Sequence, residues 1–112
     1  MFDKVIPILR ILDVAKAREF YIDFLGFTVD WEHRFDDNAP LYMQVSRAGL
    51  LLHLSEHYGD AIPGAAFRIK MTGVHDLQRE LVEKKYRYFR PGVERMEWGT
   101  DEMQLIDPFG NR

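Results

Sequence analysis

The sequence predicts an α+β domain of two β-α-β-β-β modules, their strands forming a curved, partly open mixed sheet with the helices on its outer face. Short apolar, β-branched runs alternate with two segments of helical periodicity. Sliding the chain by 60 residues lays Ile6–Leu12 over Ala66–Thr72 and the helix start Val14 over Val74. A chain of 112 residues has room for one domain and not for two independent cores. Residues 1–60 form the first module and residues 61–112 the second, which is cut short at Arg112.

Each element follows from its residues. Lys4–Leu12 (KVIPILRIL) is short and apolar and reads as the first strand. Asp13 stands as an N-cap, and Val14, Ala17, Phe20, Tyr21, Phe24 and Leu25 recur at helical spacing up to Gly26, which suits a left-handed closing position. Phe27–Arg34 alternates as a strand and DDNAP turns the chain. Leu41–Arg47 and Leu50–Glu56 are two strands joined tightly at Ala48–Gly49. After the loop HYGDAIPG, Ala65–Met71 reads as a strand, and Val74–Lys85 as a helix with Val74, Leu77, Leu81 and Val82 on one face. Tyr86–Phe89 is a short strand ended by Pro91–Gly92, and Glu102–Asp107 is another, closed by the turn Pro108-Phe109-Gly110-Asn111.

Period two assigns the faces. Pro7, Leu9 and Ile11 turn to the helices, leaving Ile6, Ile8 and Arg10 on the open face. Leu50, Leu52 and Leu54 are core, and Leu51, His53 and Ser55 face the cleft. In Ala65–Met71 the apolar set Phe67, Ile69 and Met71 covers the helices, and Ala66, Arg68 and Lys70 face the cleft. Tyr42, Gln44 and Ser46 share the cleft side of their strand, and Gln104 joins them from the last one. A polar concave face of this kind points to a ligand pocket rather than a second packed layer.

Composition narrows the chemistry. With no cysteine, disulfides, thiolate zinc sites, iron–sulfur clusters and thiol catalysis are excluded, and a reducing cytoplasm is the expected location. No run approaches the roughly 18 to 20 apolar residues of a membrane span, and the start MFDKVIPIL lacks the long apolar region of a signal peptide. A net charge of −3 argues against nucleic acid as a partner. The basic and aromatic run KKYRYFRPGVER reads as a helix end followed by a strand, with its lysines suited to the helix's negative end. No nucleophile elbow surrounds Ser46 or Ser55, and no glycine-rich phosphate loop is present.

The candidate ligand-binding residues are His53, Trp98, Arg68, Tyr42, Gln104, His33 and Arg10. His53 either contacts ligand or is a half-buried histidine bonded to a neighbour. His53 and His57 are about 13 Å apart along an extended strand, so HLSEH is not a zinc motif, and Glu56 and His57 fall on a solvated rim. Arg10, Arg68 and Lys70 would favour an anionic group, with an ion pair from Arg68 to Glu102 or Asp101 as the alternative. Trp98 beside Gly99 can stack on a planar ligand or lid the core. Trp31 reads as packing, with His33 on its face as a cleft residue.

PILRILDVAKAREFYIDFLGF at 7–27, LLLHLSEHYGD at 50–60 and WGTDEMQLIDPFGN at 98–111 resemble the vicinal-oxygen-chelate superfamily. That superfamily holds glyoxalase I, extradiol dioxygenases, fosfomycin-resistance transferases and bleomycin-resistance proteins. Pro7 and Trp98–Gly99 lean toward the bleomycin-resistance branch. The resemblance implies the glyoxalase/bleomycin-resistance fold and a homodimer in which two chains complete each cleft. In the family's enzymes one donor from each of four strand positions holds a divalent metal. Those positions fall on Ile6, His53, Ala66 (or Phe67) and a Glu beyond Arg112, so His53 is the only matching ligand. Isoleucine and alanine offer no lone pair. The resemblance therefore implies a binding protein without catalytic residue or cofactor, which sequesters a small molecule such as an antibiotic. The alternative is a lyase, isomerase or dioxygenase using Zn, Ni, Mn or Fe, with donors drawn from His53, His33, Glu102 and a residue beyond Arg112.

Overall fold

The structure, a computed structural model, describes residues 1–86 and 91–112. The first module is built around a four-stranded mixed sheet of β1 (Ile8–Arg10), β2 (Thr28–His33), β3 (Tyr42–Arg47) and β4 (Leu50–Ser55), in the order β1-β4-β3-β2. β1 runs parallel to β4, and the other two pairs are antiparallel. Ala48 (φ 51°) and Gly49 (φ 87°) both take left-handed conformations between β3 and β4. That pairing makes the two-residue turn whose twist matches the strands it joins. The apolar run at 4–12 supplies a shorter strand than its composition predicts. Pro7 accepts from His53 N–H at 2.9 Å but has no N–H to extend the ladder. Before it, Met1, Phe2 and Val5 are exposed.

The helix between β1 and β2 starts where Asp13 caps it, accepting from Lys16 N–H at 2.9 Å. An α-helical turn, α1 (Val14–Arg18), widens into a π-helical segment over Glu19–Phe24. There Leu25 N–H reaches back five residues to Phe20 O at 2.9 Å. Gly26, at φ 76°, ends the helix in the left-handed conformation. Phe20, Tyr21, Phe24 and Leu25 are buried against Leu9, Ile11, Met43, Val45, Leu52 and Leu54 of the sheet, and these residues are the core.

Further along the chain, α2 (Val74–Glu83) lays Leu77 and Leu81 on that core, while Val74 is half-buried and Val82 is exposed at the margin of the stripe. Two basic residues tie α2 to the first helix by satisfying its last carbonyls. Lys84 Nζ donates to Phe24 O at 2.7 Å, and Arg47 donates to Leu25 O at 2.6 Å and to Glu80 at 2.9 Å. β5 (Val93–Arg95) and β6 (Asp101–Met103) then form an antiparallel hairpin.

Several expectations are corrected here. Ala65–Met71 forms no strand. Among the described residues it is held by Phe67 N–H to Arg112 O at 3.0 Å and Arg112 N–H to Ala65 O at 2.9 Å. Ile69 and Met71 are 49% and 46% exposed instead of covering a helix. The last strand begins at Asp101 and ends at Met103, because the turn that follows claims Asp107. From Arg87 onward, the strand expected at Tyr86–Phe89 lies outside the described residues.

The Asp107–Asn111 turn stitches the modules together. Buried Asp107 accepts from Tyr21 Oη at 2.6 Å, from the Phe109 and Asn111 amides and from Asn111 Nδ2. Burial, then the Asp107 charge, pushes the Tyr21 phenol well above its ordinary pKa, so Tyr21 stays a donor. Buried Asn111 donates to Arg10 O at 3.0 Å and accepts from the Gly64 and Ala65 amides at 3.2 Å. Among the described residues no helix is long and apolar enough to cross a membrane.

Candidate functional site

The open face of the four-stranded sheet gathers a ring cluster that begins with a backbone irregularity. Pairing between β2 and β3 steps from Val29↔Val45 to Trp31↔Gln44, which leaves Asp30 as the extra residue of a bulge. The inserted residue breaks strict alternation, and the neighbours Asp30 and Trp31 both reach the residues of the open face. Trp31 lies parallel to the Tyr42 ring, with centroids 6.0 Å apart and planes at 12°, and meets the His53 ring edge at 5.4 Å. The Asp30 carboxylate accepts from Gln44 Nε2 at 3.0 Å and from Ser46 Oγ at 2.9 Å. Strand alternation predicts Trp31 as a packing residue; instead it is 43% exposed above the cluster.

His53 is the hub. Its Nδ1 lies 2.7 Å from Tyr42 Oη and its Nε2 lies 3.0 Å from Gln44 Oε1. A carboxylate can only accept, so Gln44 turns its amide NH2 to Asp30 and its carbonyl to His53. His53 then carries its proton on Nε2, and Nδ1 accepts the Tyr42 hydroxyl. Burial, then the charge of Asp60, raises the Tyr42 pKa and keeps the phenol protonated. The arrangement therefore orients a neutral hydroxyl and does not generate a phenolate nucleophile.

The remaining candidates divide. His33 is the cross-strand partner of Tyr42, and its ring turns to Phe35 at 5.2 Å. His57, expected on the rim, approaches the Tyr42 ring at 6.3 Å. Ser55 is wholly buried, not in the cleft, because its hydroxyl donates to Asp60 at 2.7 Å. Arg10 pairs in register with Ser55, and its guanidinium sits 5.8 Å from the centroid of the Tyr58 ring. Its Nε is buried without a hydrogen-bond partner.

Trp98 and Arg68 converge instead on Glu102 of the β5–β6 hairpin. Trp98 Nε1 donates to Glu102 at 3.0 Å, Thr100 Oγ1 donates at 2.8 Å, and Arg68 completes the set at 3.2 Å. The Thr100 hydrogen bond, helped by Trp98 and Arg68, holds the Glu102 carboxyl below its usual range. Arg68 thus pairs within the chain. Trp98 keeps its ring 63% exposed, and Gln104, just past β6, is exposed beside the hairpin.

The donor set at the sheet does not fit a divalent metal. Both His53 nitrogens are committed, and Ile6 and Ala66 offer no lone pair. Of the other proposed donors, His33 packs on Phe35, and Glu102 belongs to the separate hairpin. No group of three or more His, Asp or Glu converges among the described residues. On the opposite, helical side, a shallow crevice of about 110 Å³ lies between Glu19, Asp23, Phe24, Lys84 and Tyr86. That is below the several hundred Å³ typical of a small-molecule pocket.

Asp30 is a site residue that the sequence reading misses. Its signal is there: an aspartate inside an otherwise strand-forming FTVDWEH run is a poor strand residue and suits a bulge.

The sequence matches the family described as glyoxalase superfamily protein over residues 1–112. The chain belongs to the glyoxalase superfamily. No curated protein matches it. Among solved structures, the bleomycin-binding protein from bleomycin-producing Streptomyces verticillus, complexed with copper(II)-bleomycin, shares 28% identity at a TM-score of 0.69, covering 99% of this chain and 92% of that one. TnmS3, an antibiotic-binding protein from Streptomyces sp. CB03234, superposes at 0.70 with 20% identity, over 99% of this chain and 91% of that one. A glyoxalase-related enzyme from Clostridium phytofermentans superposes at 0.71 with 18% identity and the same coverage. In this superfamily the α+β architecture, with its mixed curved sheet and outer helices, is the shared feature; activity resides in the site.

Proposed function

We propose that this glyoxalase-superfamily chain binds a small molecule without a metal, holding it on the open sheet face in a cleft that a second copy completes. The observation that carries this reading is the state of His53. The one residue matching a metal-ligand position of the family has both nitrogens engaged by protein, while Trp31, stacked on the half-buried Tyr42, stays exposed. Such a surface suits a flat aromatic ligand. The bleomycin-binding and antibiotic-binding neighbours support a ligand of that general kind.

Charge points away from bleomycin itself. Arg10, in register with Ser55 and with its guanidinium beside the Tyr58 ring, bears a cation on the same side of the sheet, and that suits a carboxylate or phosphate on the ligand. Dimer completion is supported by the open shape of the single chain. Its radius of gyration is 14.8 Å, against about 13 Å for a compact domain of this length. Exposed Phe2, Val5, Ile8, Phe35, Ile69 and Met71 add apolar surface that a partner would cover.

A thermal-shift screen of planar aromatic acids, their neutral amides and metal-free bleomycin tests this reading. Aromatic acids are expected to stabilise the protein, with the shift reduced in Arg10→Gln and in Trp31→Ala. Stabilisation by bleomycin alone, or shifts indifferent to both substitutions, would contradict the assignment.

A further inference from the structure

We infer that Asp30, acting through Gln44, fixes His53 in its Nε2–H tautomer and so makes Tyr42 Oη an acceptor that selects ligands presenting a hydrogen-bond donor. The inference rests on the open face being the binding site, but its geometry stands without any ligand. Asp30 receives Gln44 Nε2 on one carboxylate oxygen at 3.0 Å and Ser46 Oγ on the other at 2.9 Å. Because a carboxylate has no proton to give, Gln44 cannot reverse its amide without setting its carbonyl against Asp30. Gln44 Oε1 therefore faces His53 Nε2 at 3.0 Å, where only an N–H makes a hydrogen bond. The Nδ1 lone pair is then available to Tyr42, and the 2.7 Å separation fits an O–H donated to nitrogen.

The consequence falls on Tyr42. A phenol has one proton, and that proton is engaged by His53, so Tyr42 Oη meets a ligand with lone pairs only. A hydroxyl, amide N–H or ammonium placed beside the Trp31 ring is satisfied there. A carbonyl or ether oxygen at the same point leaves two acceptors opposed, and such a ligand is expected to bind at least tenfold more weakly than its donor-bearing counterpart. Asp30 is thus a positioning residue. The β2 bulge that brings it over the face is a specificity device as well as a packing detail.

Imidazole nitrogen NMR on histidine-labelled protein, without ligand, tests the relay directly. The wild type is expected to show His53 as a single Nε2–H tautomer. Asp30→Asn, whose amide can serve either orientation of Gln44, is expected to show both tautomers. Tyr42→Phe is expected to keep the Nε2–H form, since Asp30 and Gln44 still impose it, while the Nδ1 resonance moves as its donor is lost. Asp30 is exposed, so Asp30→Asn retains the fold, and the wild-type spectrum reports the tautomer without any substitution. A wild-type Nδ1–H tautomer, a mixture, an Asp30→Asn spectrum unchanged from wild type, or a Tyr42→Phe Nδ1 signal that does not move would overturn the inference. None of these results depends on a ligand, so the failure of the relay is separable from the failure of the binding reading.

Discussion

Asp30 and Trp31 are neighbours in one strand, yet both reach the open face, and most of the candidate site depends on that. Alternation places Tyr42, Gln44, Ser46 and His53 on one side correctly, because β3 and β4 pair without interruption from Tyr42↔Ser55 to Arg47↔Leu50. It fails at Trp31, where one inserted residue reverses the parity and only the poor strand propensity of Asp30 records the insertion. Ser55 keeps its side of the sheet, opposite Tyr42, but is buried there. Alternation assigns its face, and a hydroxyl can be buried when a partner such as Asp60 is within reach. At this scale Trp31→Ala is expected to lower ligand affinity about fivefold, in line with the loss of about 1 kcal/mol of ring contact. Its melting temperature should change little, because the ring is 43% exposed. Isothermal titration beside a melting curve separates the two effects, and a large loss of stability would instead make Trp31 a packing residue.

The elements are legible where their own residues decide their ends. Asp13 and Gly26 mark the first helix in sequence and in structure, by a side-chain bond at one end and a left-handed residue at the other. A Cβ at Gly26 would stand 3.3 Å from Arg47 Nη1, in a conformation L-residues resist. Gly26→Ala is therefore expected to cost about 1 to 2 kcal/mol in chemical denaturation. Ala65–Met71 is not legible, because a strand exists only if something pairs with it, and among the described residues its backbone meets Arg112. The hairpin β5–β6 is docked by charge: Asp101 accepts from His75 of α2 at 2.9 Å and pairs with Arg95 at 2.9 Å. Hydrogen bonding from His75, then the Arg95 charge, lowers the Asp101 pKa. A depressed carboxyl stabilises the fold above its unfolded pKa, and that contribution disappears as pH falls through the folded value. Asp101→Asn should thus be less stable than wild type at neutral pH, with the gap narrowing as pH falls below the ordinary carboxylate range. A stability gap that does not change with pH would rule out the ionic contribution.

At the scale of the molecule, two buried polar side chains, Asp107 and Asn111, join the modules where apolar packing is thin. Asn111→Ala leaves Arg10 O and the Gly64 and Ala65 amides without partners. It is expected to cost about 2 to 4 kcal/mol, read by denaturant unfolding. The flat outline, 47 × 41 × 23 Å, and the exposed apolar residues predict self-association. Sedimentation equilibrium should give twice the chain mass, and a monomer at micromolar concentration would remove the shared cleft. The central claim is that His53 is committed to Tyr42 and Gln44 and the open face works without a metal. Elemental analysis of untagged protein purified without chelator tests it most directly. Zinc, nickel, manganese and iron are each expected far below one per chain; a near-stoichiometric content of any of them would contradict the account and bring the metal-dependent enzyme forward.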